Sequence, residues 1–176
     1  MSQDHEGGSA AGLPATKTTA AEYLGWVHGY TRQRFAGPLK DMMRALGLST
    51  REIDGDLKEM PSPILCGRTP RHAMQTLGTE WGRELIGPDL WISIWTARAT
   101  ASSSPVVADD VRFPNEVAAI KALGGIVIRI ERPGALADGA AAAHASEAYR
   151  LAADARVVND GSVADFERRL ARLIGR

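Results

Sequence analysis

Apolar positions along the chain follow two regimes. In the first half they recur at helical spacing but are broken by Gly and Pro, and in the second half short apolar runs alternate with helical segments. Residues 1–16 show no hydrophobic periodicity and are rich in Gly, Ala and Ser, so they read as a disordered or loosely held arm. From Thr18 the spacing puts Ala21, Leu24 and Val27 on one face of a short helix, with Thr18 or Thr19 able to cap it. After Gly29, "YTRQRF" alternates as a short strand does, and "AGPLK" opens a helix running through "DMMRALGL". "STREIDGDLKEMPSPILCGRT" mixes charge, Pro and Gly and reads as a surface excursion. "PRHAMQTLGTEWGREL" resumes helical spacing, with Ala73, Leu77 and Trp81 in register across Gly78 and Gly82, and "PDLWISIWTARATA" is a further helix.

The second half has clearer boundaries. "PVVADDV" predicts a buried strand, "PNEVAAIKALGG" a helix opened by Pro and closed by Gly, and "IVIRIERPG" a second strand, which together make a βαβ unit. "ARVVND" and "GSVADFERRLARLIG" repeat the strand and helix. Apolar strands alternating with helices predict an α/β fold: a three-layer parallel sheet with helices on both faces. Ligands of such sheets lie at the carboxyl ends of the strands, which draws the chemistry to residues 109–112 and 131–134.

Composition narrows the partners. The 176 residues are 44% hydrophobic, enough for one domain with a real core. The 21 basic and 21 acidic residues cancel, so no nucleic acid or anionic membrane is expected as a partner. The lone Cys66 excludes an internal disulfide framework or a cysteine zinc cage. No apolar run of about 18 residues occurs and the start is polar, which predicts a soluble, cytoplasmic protein.

Several clusters carry candidate chemistry. "ADDVRFPNE" places Asp109, Asp110 and Arg112 at a strand end, where a carboxylate either holds magnesium or caps the following turn and pairs with Arg112. Arg129 and Arg132 close the neighbouring strand, and converging guanidinium forks match phosphate oxygens, although surface ion pairing explains either one alone. His144 reads as a general base, a metal ligand or a simple polar contact, and the spacing of the four histidines excludes a histidine metal site. Helical spacing brings Arg71, Gln75 and Gly78 or Thr79 to one face, enough for a phosphate and a base edge, or else a solvated face over buried tryptophans.

The ordered set "FAGPLK", "QTLGTEWGREL", "GPDLWI", "DVRFPNE", "GGIVIRIERPG", "HASE" and "VVNDGS" resembles the deoxynucleoside monophosphate kinases known from bacteriophages and prophages, over residues 17–176. The resemblance implies a P-loop nucleoside monophosphate kinase fold over that span, and transfer of phosphate from ATP to a deoxynucleoside monophosphate with Mg2+. A homodimer is one arrangement left open. It matches Lys17 to the P-loop lysine, with Gly12, Thr18 and Thr19 as further ATP contacts and Thr18 and Asp110 at the metal. Phe35, Lys40, Arg71, Gln75, Glu80, Trp81, Arg83, His144 and Glu147 fall on the monophosphate side, and Arg112 and Arg132 join Lys17 as catalytic residues.

The chain departs from that pattern at its start. A G-x-x-x-x-G-K-[ST] loop aims backbone N–H groups at phosphate, but Ala11 and Thr16 hold the glycine positions, Gly12 is one residue out of register, and Pro14 has no N–H. No apolar run precedes the loop, so the first strand is missing or altered, and Gly37 stands where the family usually has aspartate. Two functions follow: an active kinase with a divergent loop, or a catalytically silent homologue that binds a nucleotide or partner protein.

Overall fold

The computed structural model describes residues 16–131, 133 and 151–175. The expected arm therefore lies outside the described residues but for Thr16. Helix α1 (Lys17–His28) starts at Thr16, not at Thr18 or Thr19 as cap. Thr16 Oγ1 accepts from the Thr19 N–H while Thr19 Oγ1 accepts from the Thr16 N–H, a reciprocal box that satisfies two otherwise orphan donors. Its buried stripe is Ala20, Ala21 and Leu24, and it stops at Gly29, whose φ of 70° is left-handed. Val27, expected on that stripe, is exposed because burial follows the i, i+4 pair Ala20 and Leu24.

Strand β1 (Thr31–Arg32) pairs in parallel with β2 (Val106–Val107), and β3 (Ile128–Glu131) pairs in parallel with β4 (Ala155–Val158). The expected βαβ unit is modified. Helix α6 (Pro114–Ala122) does connect β2 to β3, but these two strands do not pair with each other, so the sheet is two small parallel sheets with a space between them. Val106 and Val107 are half-buried where a buried strand was expected, and among the described residues β2 pairs along one edge, with β1.

Helices cover the strands by their apolar faces. One core joins Ala20 and Leu24 of α1 to Val157 of β4 and to Phe166 and Leu170 of α7 (Val163–Ile174), with Val107, Ile128 and Ile130 packed against it. Another joins Phe35 to Ile92 and Trp95 of α5 (Leu90–Thr100), with Val106, Ala108 and Ile120 against it. Val106 and Val107 thus face opposite sides, as the period of two requires.

A further core gathers Leu39 and Met43 of α2 (Gly37–Ala45), Met74 of α4 (Pro70–Thr76), Trp91, and Ile53 of the short α3 (Thr50–Ile53). The stretch expected as a surface excursion is therefore partly core. Ile53 is wholly inaccessible, Ser49 and Glu52 form a capping box, and the Ser62 hydroxyl donates to Glu52 at 2.8 Å.

After α4 the backbone does not continue the expected α-helical register but widens into a π-helical segment, Leu77–Ile86. Trp81 loses its place in the buried register and is 38% exposed. Trp91 closes over the segment: its Nε1 donates to the Gly78 carbonyl at 2.8 Å, and a Cβ on Gly82 would lie 2.6 Å from its ring. Gly82→Ala is expected to cost roughly 1 to 3 kcal/mol through this overlap, despite the better helix propensity of alanine. Urea unfolding should show a lower midpoint at unchanged slope; an unchanged midpoint would show that Trp91 moves aside freely.

Candidate functional site

The carboxyl ends of β1 and β2 assemble the densest polar cluster. Arg32 and Arg34 alternate on the same side of an extended segment and both reach Asp109, which follows β2. Arg32 Nε lies 3.1 Å and Arg34 Nε 3.0 Å from Asp109 Oδ1, Arg32 Nη2 bonds the other oxygen, and the Thr18 hydroxyl of α1 donates to Oδ2 at 3.3 Å. The Asp109 side chain is only 5% exposed. Burial alone pushes this carboxyl up, yet the hydrogen bonds and charges of Arg32 and Arg34 overcome that and hold it below its ordinary value.

Asp110 turns elsewhere. Its two oxygens accept the N–H groups of Phe35 and Ala36, each at 3.0 Å, fixing the turn that opens α2. Thr18, expected with Asp110 at a metal, therefore lies against Asp109. Among the described residues no group of three or more His, Cys, Asp or Glu side chains could hold a metal. With Asp109 engaged by two guanidiniums and Asp110 by two amides, this arrangement does not fit Mg2+.

A second acidic centre lies alongside. Asp54 meets Lys40, Arg34 at 3.5 Å and Arg44 at 3.5 Å. Burial raises its carboxyl, while Lys40 and the two arginines outweigh that and lower it. Phe35 is 3% exposed and stacks on Trp95 with ring centroids 4.3 Å apart, so its ring belongs to the core and is not presented to a ligand.

The residues expected on the monophosphate side divide. Arg71 pairs with Glu59, and Gln75 and Glu80 are exposed beside it on α4 and the π-helical segment. Arg83 is held more firmly: its guanidinium lies 4.3 Å over the Phe113 ring and its Nη2 is 3.3 Å from Glu116 Oε1. Glu116 is 3% exposed, and its other oxygen accepts the N–H groups of Arg112 at 2.7 Å and Phe113 at 3.1 Å. Burial raises its carboxyl above the ordinary value, only partly opposed by those amides and Arg83. Trp81 and Trp91 are tilted neighbours, 6.2 Å apart.

Lys17 and Arg112 line the same cavity as Asp109. Among the described residues neither makes an ion pair, whereas Arg32, Arg34, Lys40, Arg71 and Arg83 all do. Gly12, Arg132, His144 and Glu147 lie outside the described residues. The sequence reading left Arg32, Arg34, Asp54 and Glu116 without a role. Two signals were available: the alternating arginines of "TRQR", and a glutamate three residues after Phe113 with Pro at the first helical position.

Two comparisons bear on this site. A family model described as deoxynucleotide monophosphate kinase matches residues 67–170, more than half of the chain. A protein of Acanthamoeba polyphaga mimivirus, provisionally named a deoxynucleotide monophosphate kinase, is 35% identical over 174 residues, covering 90% of each chain. The chain belongs to the deoxynucleotide monophosphate kinase family. The matched region contains Arg71, Arg83, Arg112 and Glu116, and begins after Lys17, Thr18 and Thr19.

Asp109→Asn should destabilise the protein by on the order of 3 kcal/mol at neutral pH, because two half-buried guanidiniums lose their counter-charge. A carboxyl lowered by folding adds stability above its unfolded pKa and loses it as pH falls through the folded value. The gap between wild type and variant should therefore narrow as pH drops below 3.8. Urea titrations across that window check this, and a gap independent of pH would deny the carboxylate its role.

Proposed function

We propose that the protein transfers a phosphoryl group from ATP to a deoxynucleoside monophosphate. The observation that carries this reading is the pairing of Lys17 with Arg112 on one cavity, two cations with no carboxylate partner among the described residues, in a member of a kinase family. An oxygen of the acceptor 5′-phosphate bonds to the γ-phosphorus as the bond from that phosphorus to the β,γ-bridging oxygen breaks, and ADP leaves. Lys17 and Arg112 would neutralise charge on the transferring group and the leaving oxygen, where a preorganised cation is worth most. Arg83, with Arg71 once released from Glu59, would hold the acceptor phosphate, and the exposed Trp81 ring offers a stacking face for a base.

One observation favours a second reading, a homologue that binds a nucleotide without transfer. Thr16 sits where a P-loop has its second glycine, with an ordinary φ of −122°, and its N–H is already given to Thr19 Oγ1 at 3.0 Å. That donor does not face a phosphate.

ATP turnover measured with each deoxynucleoside monophosphate separates the two. Transfer is expected, and Lys17→Ala should lower kcat by about a hundredfold or more; an unchanged kcat would remove Lys17 from the chemistry. Calorimetry should show monophosphate binding that Arg83→Ala weakens by roughly 1.5 to 3 kcal/mol. Binding without turnover would establish the silent homologue, and absence of both would sink the two readings together.

A further inference from the structure

The start of α6 carries a second joint built on one carboxylate. Proline at the first helical position and glutamate at the third let Glu116 reach back to the N–H groups at the helix entry. Its Oε2 accepts from Arg112 at 2.7 Å and from Phe113 at 3.1 Å. A cap needs only one oxygen and works as well at the surface, yet Glu116 is 3% exposed and its Oε1 lies 3.3 Å from Arg83 Nη2. A carboxylate is tolerated at this depth when both oxygens are used and its charge is matched.

Arg83 is gripped from several sides. Its guanidinium lies 4.3 Å over the Phe113 ring and its Nη1 is 3.5 Å from the Pro88 carbonyl, so the π-helical segment, the turn before α5 and the start of α6 meet on it. Asn115 ties the last two together, donating to Asp89 Oδ1 at 2.9 Å. The Arg83 side chain still keeps 22% of its surface exposed. A guanidinium carries more N–H donors than these contacts use, so one held in this way can fork onto a phosphate with little rotamer freedom left to lose. Arg112 is held differently: Glu116 bonds its backbone, while Arg112 lines the cavity shared with Lys17 and Asp109.

We infer that Glu116 is a positioning residue that sets Arg83 and Arg112 relative to each other, one oxygen for each, so that an acceptor phosphate on the first meets the transferring group on the second. The inference rests on the proposed phosphoryl transfer and deepens it. Transfer needs the attacking and leaving oxygens roughly in line, and a misplacement of about 1 Å costs about a hundredfold in rate. Arg83 projects from the π-helical segment and Arg112 from the loop ahead of α6. A single planar carboxylate hydrogen-bonded to both fixes their separation, which neither element does by itself.

Substitution in the full chain separates the two oxygens. Glu116→Gln keeps an acceptor for the Arg112 and Phe113 amides but no charge for Arg83. It should raise the KM for the deoxynucleoside monophosphate about tenfold, leave the KM for ATP in place and lower kcat by less than about threefold. Glu116→Ala removes both contacts and should lower kcat by about tenfold more. On an Arg83→Ala background, Glu116→Gln should leave the monophosphate KM where Arg83→Ala puts it, because its effect passes through that side chain. A residue that only caps α6 would instead lower the folded fraction, and with it kcat, at unchanged KM and equally on both backgrounds. That pattern, with urea midpoints reporting the folded fraction, would overturn the inference and leave the transfer reading standing. The Gln variant carries the test if the Ala variant does not fold. If the wild type transfers no phosphate, the transfer reading falls by itself, and calorimetry with the same monophosphates decides the inference. Affinity lowered about tenfold in Glu116→Gln, and no further on the Arg83→Ala background, upholds it. Equal affinities of wild type and Glu116→Gln, or no binding at all, overturn it.

Discussion

The carboxylate of Asp109 is the constraint on which the described fold turns. Strands β1 and β2 are two residues each, too short for a ladder to fix their relation to the helices around them. Asp109 supplies what the ladder cannot: it takes Arg32 of β1, Arg34 just beyond it and Thr18 of α1 while itself following β2. A carboxylate this deeply buried is tolerated only when its charge is matched and its lone pairs are used. Its neighbour Asp110 extends the joint by fixing the amides of Phe35 and Ala36, which sends Phe35 into the core against Trp95 and starts α2. Two adjacent acids thereby set the positions of three elements.

That joint also sorts the cations by availability. Arg34 bridges Asp109 and Asp54, and Lys40 and Arg44 share Asp54, so an anion approaching them competes with carboxylates already in place. Among the described residues Lys17 and Arg112 have no such competitor. Arg83 is an intermediate case. It is already engaged by Glu116 and by the Phe113 ring, while burial raises the Glu116 carboxyl and its other oxygen, bonded to two amides, shapes the Arg112 loop.

Much of the second half was legible because its signals are local. Pro114 with Glu116 starts α6, Ser162 with Asp165 starts α7, and alternation or short apolar runs mark β3 and β4. What was hidden depends on pairs remote in sequence. Phe35 belongs to the core only because Trp95 meets it, and Ile53 is buried because α2 and α4 close over a segment whose composition is that of a surface loop. The π-helical segment had no advance sign either: Gly78 and Gly82 suggested only a weak helix, while their function is to admit Trp91 and, for Gly78, Leu39. Family membership was readable from "GTEWGREL" and "DVRFPNE", although these motifs carry packing and capping as well as charge.

The beginning of α1 is where fold and chemistry meet. A helix N-terminus offers its first N–H groups to an anion, and a strand leading directly into it would hold them in place. Here the Thr16 and Thr19 amides are spent on the capping box, which leaves the N–H groups of Lys17 and Thr18 without intrahelical acceptors, beside the Lys17 ammonium. The Thr18 bond to Asp109, with the packing of Ala20 near Val107, ties this end of the helix to β2 and the residues after it. Among the described residues an anion there finds two amides and one cation, where a complete glycine loop would present several more donors.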